Sequence, residues 1–522
     1  MLWYDKIGSV GMSFRIQEYY ARLRKAEPAG QRYAALWLFL FALSIRLLAL
    51  FLVRTDGLYG QDAFAYFECA SQLLTGPDPC SDFRWPLGYP ALAAVAMWVT
   101  GTAARGAQFA SVISGAAIAP LAYWTVATVM PSSFEPERRV DAAIAAGLLT
   151  AVCGQLVLSS IVIMSDAPGL FWATLSACLL LRWECNSEKA PFALPLAAAA
   201  LAAAIATRWI YGGLLIPFSL FAMVAGGRKL RLTGSRATVA SMVISALLLS
   251  ILLAILLYLN AHSSAPVQNH SWVVEWRMVN SWHLAFDNPD GHFQYRVPPL
   301  IFYAAPLIHP LFLCPVLVGC VLVGVWRLRH SSAVLLLGGW VATLYGYLVG
   351  IPYENGRFGL AFFTPLAVFA GVGLWTLPAR FRISYRASWV LLFGSLIVTS
   401  GFACRSLMAF DSNTRKQWAD IQYLQSQVPA GSTVVTFGLS ISVAHYTRLA
   451  VVDLFEQSPQ SLRPTVCGNP SVYLYVDRPS IESQWVGRTP ALNVHWLEHD
   501  VGLRQIGMKN GWWLYRVAAC SP

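Results

Sequence analysis

Eleven apolar runs punctuate this chain, at about 33–54, 104–130, 141–163, 166–183, 191–206, 208–226, 236–260, 299–326, 332–350, 358–377 and 387–403. A helix needs about 20 apolar residues to cross a bilayer core of about 30 Å. Most of the runs meet that length; 166–183 and 191–206 are short for it. Only helices and closed barrels satisfy their backbone groups in lipid, and runs this long are helical. The composition agrees: 57% of the 522 residues are hydrophobic and 12% charged, with 20 Trp and 21 Tyr to settle at membrane–water boundaries. The chain reads as a polytopic α-helical membrane protein with about 11 transmembrane helices, within a range of 10 to 13.

Charge orients the runs. Lys6, Arg15, Arg22, Arg24, Lys25 and Arg32 precede the first one, which places the N-terminus in the cytoplasm. Eleven crossings then put Arg138-Arg139, Arg228-Lys229-Arg231-Arg236, Arg327-Arg329 and Arg380-Arg382-Arg386 on that same side. The parity requires that 87–101, PLGYPALAAVAMWVT, does not span; it reads as a juxtamembrane or half-inserted element broken by Pro86 and Pro90. The first 32 residues are polar and basic, and the run after them is too long for a signal-peptide core, so no cleaved signal is expected. The net charge of +11 sits mostly in short loops between apolar runs, so it sets topology and does not call for nucleic acid.

Bulk and chemistry therefore lie outside. The first external loop, 55–103, is acidic, with Asp56, Asp62, Glu68, Asp78 and Asp82. Residues 1–403 form the membrane domain, and 404–522 are polar enough for an external soluble domain. Within that tail STVVTFG, LAVVDLF, SVYLYVD and WWLYRVA read as strands, the last after a Lys509-Asn510-Gly511 turn, and 412–428 reads as a helix. A small external α/β domain is expected.

Few charged residues stand at the external ends of the apolar runs. Asp62 opens a helical stretch, where the helix dipole alone would favour an acid. Asp166 lies between two runs in IVIMSDAPGLFW, where Ser165 or Asp166 can cap a helix that has Pro168 in its first turn; an ionisable group at that depth is also a functional candidate. Arg208, in ATRWIYGG, and Arg357, in YENGRFGLAFFTP, sit at the external boundary. Each can grip a phosphate bidentately or snorkel to lipid headgroups. Glu354 can pair with Arg357, and Arg46 inside the first run is structural or faces the interior. His262, His270, Trp272, Trp276, Trp282, His283 and His292 crowd the loop 261–298, which suits interfacial anchoring, sugar rings or a metal. The ten Cys include no CxxC and no Cys/His metal spacing, which argues against a zinc site. Cys69 with Cys80, and Cys467 with Cys520, can close disulfides if the exterior is oxidising.

Asp62-Ala63-Phe64-Ala65-Tyr66 with Ala70-Ser71-Gln72-Leu73-Leu74, then Trp85-Pro86-Leu87-Gly88-Tyr89-Pro90-Ala91-Leu92, resemble the GT-C superfamily of integral membrane glycosyltransferases, in its protein-mannosyltransferase and aminoarabinose-transferase-like branch. That family often reads DEAYYxxxARxLL and then PPxYPLLLA. Met164-Ser165-Asp166-Ala167-Pro168, Ala206-Thr207-Arg208, and Gly356-Arg357-Phe358 with Pro365 are similar to its later motifs, in the same order over roughly 33–403. The second acid of the first motif is Ala63 here, so its role falls to Asp62 alone, or to Asp62 with Asp166 or Glu68.

The resemblance implies a GT-C-like fold and an inverting transferase that moves a sugar from a polyprenyl-phosphate carrier to an acceptor hydroxyl on a glycan, lipid or protein, at the external face of the cell (inner) membrane. Asp62 would be the general base, Asp166 would orient acceptor or sugar, and Arg208 and Arg357 would hold the donor phosphate. Tyr66, Tyr89 and Glu354 are the expected substrate-binding residues. No metal or other cofactor is required on this reading, although some relatives use a divalent cation. A transporter or flippase of lipid-linked sugars is the alternative, and a membrane scaffold whose tail binds a partner is a third reading. The chain has no inverted repeat of the kind many transporters show.

Overall fold

The computed structural model describes residues 29–76, 80, 83, 85–130, 133–186, 190, 192–233, 236–261, 275–381, 384–455 and 457–518. The basic residues before 29, together with Asp78, Asp82, His262, His270, Trp272, Arg382 and Cys520, lie outside them.

Most of the apolar runs are helical over most of their length; 299–326 is the exception, broken into two four-residue helices, a 3-10 turn and one helix of 11 residues. The bundle helices are α1 (Ala29–Val53), α4 (Ala104–Val129), α5 (Pro136–Val152) continued by α6 (Gly154–Ser160), α7 (Asp166–Asn186), α8 (Ala193–Thr207), α9 (Leu215–Thr233), α10 (Arg236–Ala261), α11 (Val318–Leu328), α12 (Ser332–Leu348), α13 (Phe363–Phe381) and α14 (Tyr385–Gln427). Among the described residues six spans are long and apolar enough to cross a membrane, on α1, α4, α9, α10, α13 and α14 with their flanking turns, and α5 with α6 makes a seventh if the bent pair is one span. Before α4 come α2 (Gly60–Thr75) and α3 (Gly88–Thr100). Lipid-facing and central helices differ as the bilayer dictates. The α10 window has the highest hydropathy, 2.8, and is only 6% buried; Val239, Val243, Ile244, Leu247, Ile251 and Ile255 are all exposed. Residues 359–376 are all buried and make the centre of the bundle. There Gly324 of α11 faces the Phe369 carbonyl, and Gly373 of α13 faces the Cys320 carbonyl, each leaving no room for a Cβ.

The segment 87–101 forms α3, whose 13 residues measure about 20 Å at 1.5 Å per residue, less than the thickness of a bilayer core. It lies along the start of α4: the Tyr89 hydroxyl is 2.8 Å from Ser111 Oγ, and a Cβ on Gly106 would meet Met97. Gly88 is required where it stands, because a Cβ there would be 2.5 Å from the Ala206 carbonyl oxygen.

Loops that carry three of the basic clusters meet: Glu184 pairs with Arg228 and accepts from Ser332, while Arg327 lies over Phe134. Arg46, fully buried, donates to the Ala42 and Ala151 carbonyls and to Ser160 Oγ, so it ties α1 to α5 and α6.

The helix read at 412–428 is the last part of α14, a single helix of 43 residues that runs unbroken through 403–404. An apolar membrane half and a polar half share one continuous backbone ladder, so composition changes there without a break in structure. The sheet follows: β3 (Thr433–Thr436), β4 (Ala450–Asp453), β5 (Val472–Asp477), β6 (Leu503–Lys509) and β7 (Trp512–Val517), in the order β4-β3-β5-β7-β6. The first three are parallel, and β7 runs antiparallel to both of its neighbours. The β6–β7 hairpin turns at Asn510 (φ 52°) and Gly511 (φ 90°), the left-handed pair such turns need. One sheet face packs on Leu462, Ile481, Val494 and Leu497, the other on Ile421 and Leu424 of α14.

The tail docks on the bundle at two places. Tyr446 donates to Asp56 at 2.8 Å, and His445 stands edge-on to Phe64 and Phe67 of α2. A hairpin in the loop after α10, β1 (Ala285–Asn288) and β2 (Gly291–Gln294), meets Gln484, Val486 and Arg488. His292 is used in that docking and His283 packs beside Phe286, so neither joins a metal cluster among the described residues.

Candidate active site

α2 leaves the end of α1 as an amphipathic helix. Ala63, Phe64, Tyr66, Cys69 and Ala70 are buried, while Glu68 points to solvent. Six residues apart, Asp62 and Glu68 lie about 120° apart on a helix, and Glu68 is on the exposed face, away from Arg357. Ala63 is 0% exposed, and no second acid fits beside it. A disulfide between Cys69 and Cys80 fastens the far end of α2. Cys467 is disulfide-bonded as well.

Asp62 does not cap its own helix among the described contacts. Its carboxylate meets Arg357 at 2.5 Å, across 295 residues of sequence. Arg357 opens the short turn Gly356–Phe362, where Asn355 accepts from its backbone N–H at 3.2 Å. Its other terminal nitrogen is 3.6 Å from Met164 Sδ. Glu354 therefore does not pair with Arg357 as the sequence allowed. It is buried, and its Oε1 has no hydrogen-bond partner among the described residues. Burial pushes its carboxyl up to about 7. The loop that carries it is fixed from below: the Tyr295 hydroxyl accepts from the Glu354 N–H, and the Tyr303 hydroxyl accepts from the Asn355 N–H.

The second acid stands at a break in the helices. α5 and α6 bend by 55° at Cys153, and residues 161–165 are not helical. Irregular backbone at this depth must be satisfied by protein. Gln108 donates to the Ile161 carbonyl at 2.6 Å, Ser111 to the Met164 carbonyl at 3.2 Å, and the Ile163 N–H to the Gly57 carbonyl at 3.0 Å. Asp166 then begins α7 and forms an ion pair with Arg208, which follows directly on α8 in extended conformation. Neither Asp166 oxygen has a hydrogen bond beyond that pair among the described residues.

The two pairs belong to one constellation. The Phe358 ring takes both guanidinium groups, Arg208 at 4.8 Å and Arg357 at 5.6 Å from its centroid. Tyr66 bridges α2 to the Asp166 segment through a 3.0 Å bond with Ser165. Burial pushes the Tyr66 phenol up, so it stays protonated at neutral pH. Tyr89 packs edge-on to Tyr66 at 5.0 Å, and Phe83 and Trp85 complete the aromatic wall. Asp62, Asp166, Arg208, Arg357, Tyr66 and Tyr89 thus come together from five separate segments, with Glu354 on the loop that delivers Arg357. Snorkelling is not what the two arginines do. Phe358, Met164 and Ser165 were visible inside the quoted motifs, but nothing in their spacing announced a platform under two cations.

Residues 92–273 match the family model described as dolichyl-phosphate-mannose-protein mannosyltransferase. No curated protein sequence matches the chain. Among solved structures, the chain is similar to ArnT from Cupriavidus metallidurans bound to undecaprenyl phosphate, with a TM-score of 0.58 at 13% identity over 92% of this chain and 98% of that one. It is also similar to the archaeal oligosaccharyltransferase AglB from Archaeoglobus fulgidus in complex with an inhibitory peptide and a dolichol-phosphate, with a TM-score of 0.55 at 12% identity over 93% of this chain and 74% of that one. The likeness runs through both the membrane helices and the tail, and on it the chain has the fold of the GT-C superfamily of integral membrane glycosyltransferases.

Proposed function

We propose that the chain transfers a sugar from a polyprenyl-phosphate carrier to an acceptor hydroxyl, with inversion at the anomeric carbon. The observation that carries this reading is the paired arrangement: two acids, each held by an arginine, and both arginines over Phe358. A carrier phosphate brings negative charge to two guanidiniums that already lie side by side. Arg357 is the accessible one, and phosphate binding there displaces the Asp62 carboxylate and frees it. Asp62 then takes the acceptor hydroxyl proton while that oxygen bonds to C1. The C1–phosphate bond breaks, its electron pair leaves with the phosphate, and Arg357 and Arg208 stabilise the charge. Asp166 keeps Arg208 in place and orients acceptor or sugar. Tyr66 and Tyr89 donate to or pack against the sugar, and Glu354, whose buried Oε1 has no hydrogen-bond partner among the described residues, offers it a carboxyl group.

The site lies on the tail side, which the basic clusters assign to the periplasm or exterior of an inner membrane, with the N-terminus cytoplasmic. No metal is required for this chemistry. Carrier lipid and acceptor, whether glycan, lipid or protein, are the partners. The test is a transfer assay on purified protein in lipid with radiolabelled polyprenyl-phosphate sugars and a mixture of acceptors, with the product anomer read by NMR. Transfer with inverted configuration supports the reading. Carrier translocation without cleavage of the sugar–phosphate bond would overturn it in favour of a flippase.

A further inference from the structure

The tail holds a second cluster of reactive side chains, away from the acid–arginine pairs. Helix Thr489–Trp496 runs into a π-turn, Leu497–Val501. Such turns re-aim side chains and recur at functional positions. His495, Glu498 and His499, at spacing i, i+3, i+4, share one face. Each offers one ligand atom, and these atoms all lie within 4.8 Å of one another. The two imidazole rings are 4.2 Å apart between centroids, tilted by 54°. Zinc bonds of about 2.0–2.1 Å in a tetrahedron place ligand atoms about 3.3 Å apart. Small side-chain rotations on exposed His495 and His499 close that gap.

Two histidines and one carboxylate are the ligand set of zinc sites that keep a fourth position open. Glu498 also has an outer partner of the kind that orients metal-bound carboxylates: its Oε1 is 2.8 Å from Arg478, which leaves Oε2 for an ion. Arg478 is held in turn by Glu482 and by the Tyr515 hydroxyl. A cavity of about 450 Å³ adjoins the cluster, lined by Arg478, Glu482, Leu492, His495 and Glu498 among others. It begins at Val476 and Arg478, at the carboxyl end of β5. Ligands of open α/β sheets bind beyond those strand ends, where the connections diverge, and here β3 lies between β4 and β5.

We propose that His495, Glu498 and His499 bind one divalent ion of the zinc class, with a fourth position left for water or for a ligand in the adjoining cavity. The site is independent of the transferase reading. The full chain in lipid nanodiscs, stripped with chelator, is equilibrated with zinc chloride at micromolar free metal and desalted, and bound zinc is counted. Wild type is expected to retain one zinc per chain more than the His495→Ala/His499→Ala double variant. Glu498→Gln, which keeps shape, is expected to weaken binding by about 10-fold or more. With cobalt in place of zinc, wild type is expected to show the visible absorption of a four- or five-coordinate ion, absent in both variants. Equal zinc content in wild type and the double variant, or a cobalt spectrum unchanged in Glu498→Gln, would overturn the site.

Discussion

The two acid–arginine pairs have the same chemistry and different surroundings. The Asp166 side chain is 1% exposed and Arg208 18%, whereas Asp62 is 32% exposed and Arg357 26%. Asp166 follows an irregular segment braced by Gln108 and Ser111, and among the described residues its one ion pair is with Arg208. Asp62 rides on a helix at the protein's edge and meets its arginine across a half-open site. A buried pair resists exchange because either charge alone would be stranded in a medium that solvates it poorly. A half-exposed pair opens at little cost, since water and salt already screen it. One pair is suited to hold the site's shape, the other to trade its carboxylate for an incoming phosphate.

Changes to each pair test that division. Asp166→Ala should be the broadest in effect: it strands Arg208 and should cost about 3–5 kcal/mol, seen as a lower unfolding midpoint together with loss of turnover. An unchanged midpoint would mean that the inner pair is no brace. Arg357→Lys keeps the charge but loses the planar fork. It should lower kcat/KM for the lipid-linked donor by roughly 10–100-fold, the worth of one to two charge-assisted hydrogen bonds, with the midpoint unaffected; equal losses of stability in Arg357→Lys and Arg208→Lys would erase the distinction.

Glu354 sharpens the contrast through pH. Its carboxyl, at about 7 in the folded chain, lies above the ordinary value of about 4.3. Between those values the folded state keeps a proton that the unfolded state has released, so this group's contribution falls as pH rises through the window and is level above it. Glu354→Gln should flatten that part of the stability profile, and an identical profile in the variant would place the titration elsewhere. Glu68→Gln, on the same helix as Asp62 but facing solvent, should change turnover by less than about twofold and stability by less than about 0.5 kcal/mol; a larger change would mean that α2 presents a different face to the site.

Much of this was legible in the sequence because membrane constraints are strict. Most apolar runs became helices, with 299–326 broken by Pro298, Pro299, Pro306, Pro310 and Pro315 into short turns before α11, and 87–101, which the odd count of crossings required to stay out of the span, forms a helix of 13 residues. The tail strands β3, β4, β5 and β7 carry apolar runs and were readable; β6, LRQIGMK, is an edge strand with mostly exposed residues and gave no pattern. The 403–404 boundary was drawn where composition changes, but helix continuity depends on backbone hydrogen bonds that polar and apolar residues support equally. The individual acids and arginines could be picked out, because charges beside membrane runs are rare. Their pairing could not, since Asp62 and Arg357 meet over 295 positions and spacing carries no information at that range. His495, Glu498 and His499 are hidden for the opposite reason: the loop 261–298 holds more of the histidines, while the helical His/Glu/His spacing lies in a segment with no other metal signal.

The central claim of the proposal is that Asp62 acts as the base once the donor phosphate has taken its place on Arg357. The most direct measurement is turnover of Asp62→Asn beside wild type, in lipid, with a polyprenyl-phosphate sugar that wild type consumes, together with donor affinity and unfolding midpoint. The account predicts a loss of about 10²–10⁴-fold in kcat, with donor affinity unchanged or tighter, because Arg357 no longer has a competing carboxylate, and with the midpoint within experimental scatter. Turnover at the wild-type rate would contradict it and leave Asp62 as a residue of the helix start and no more.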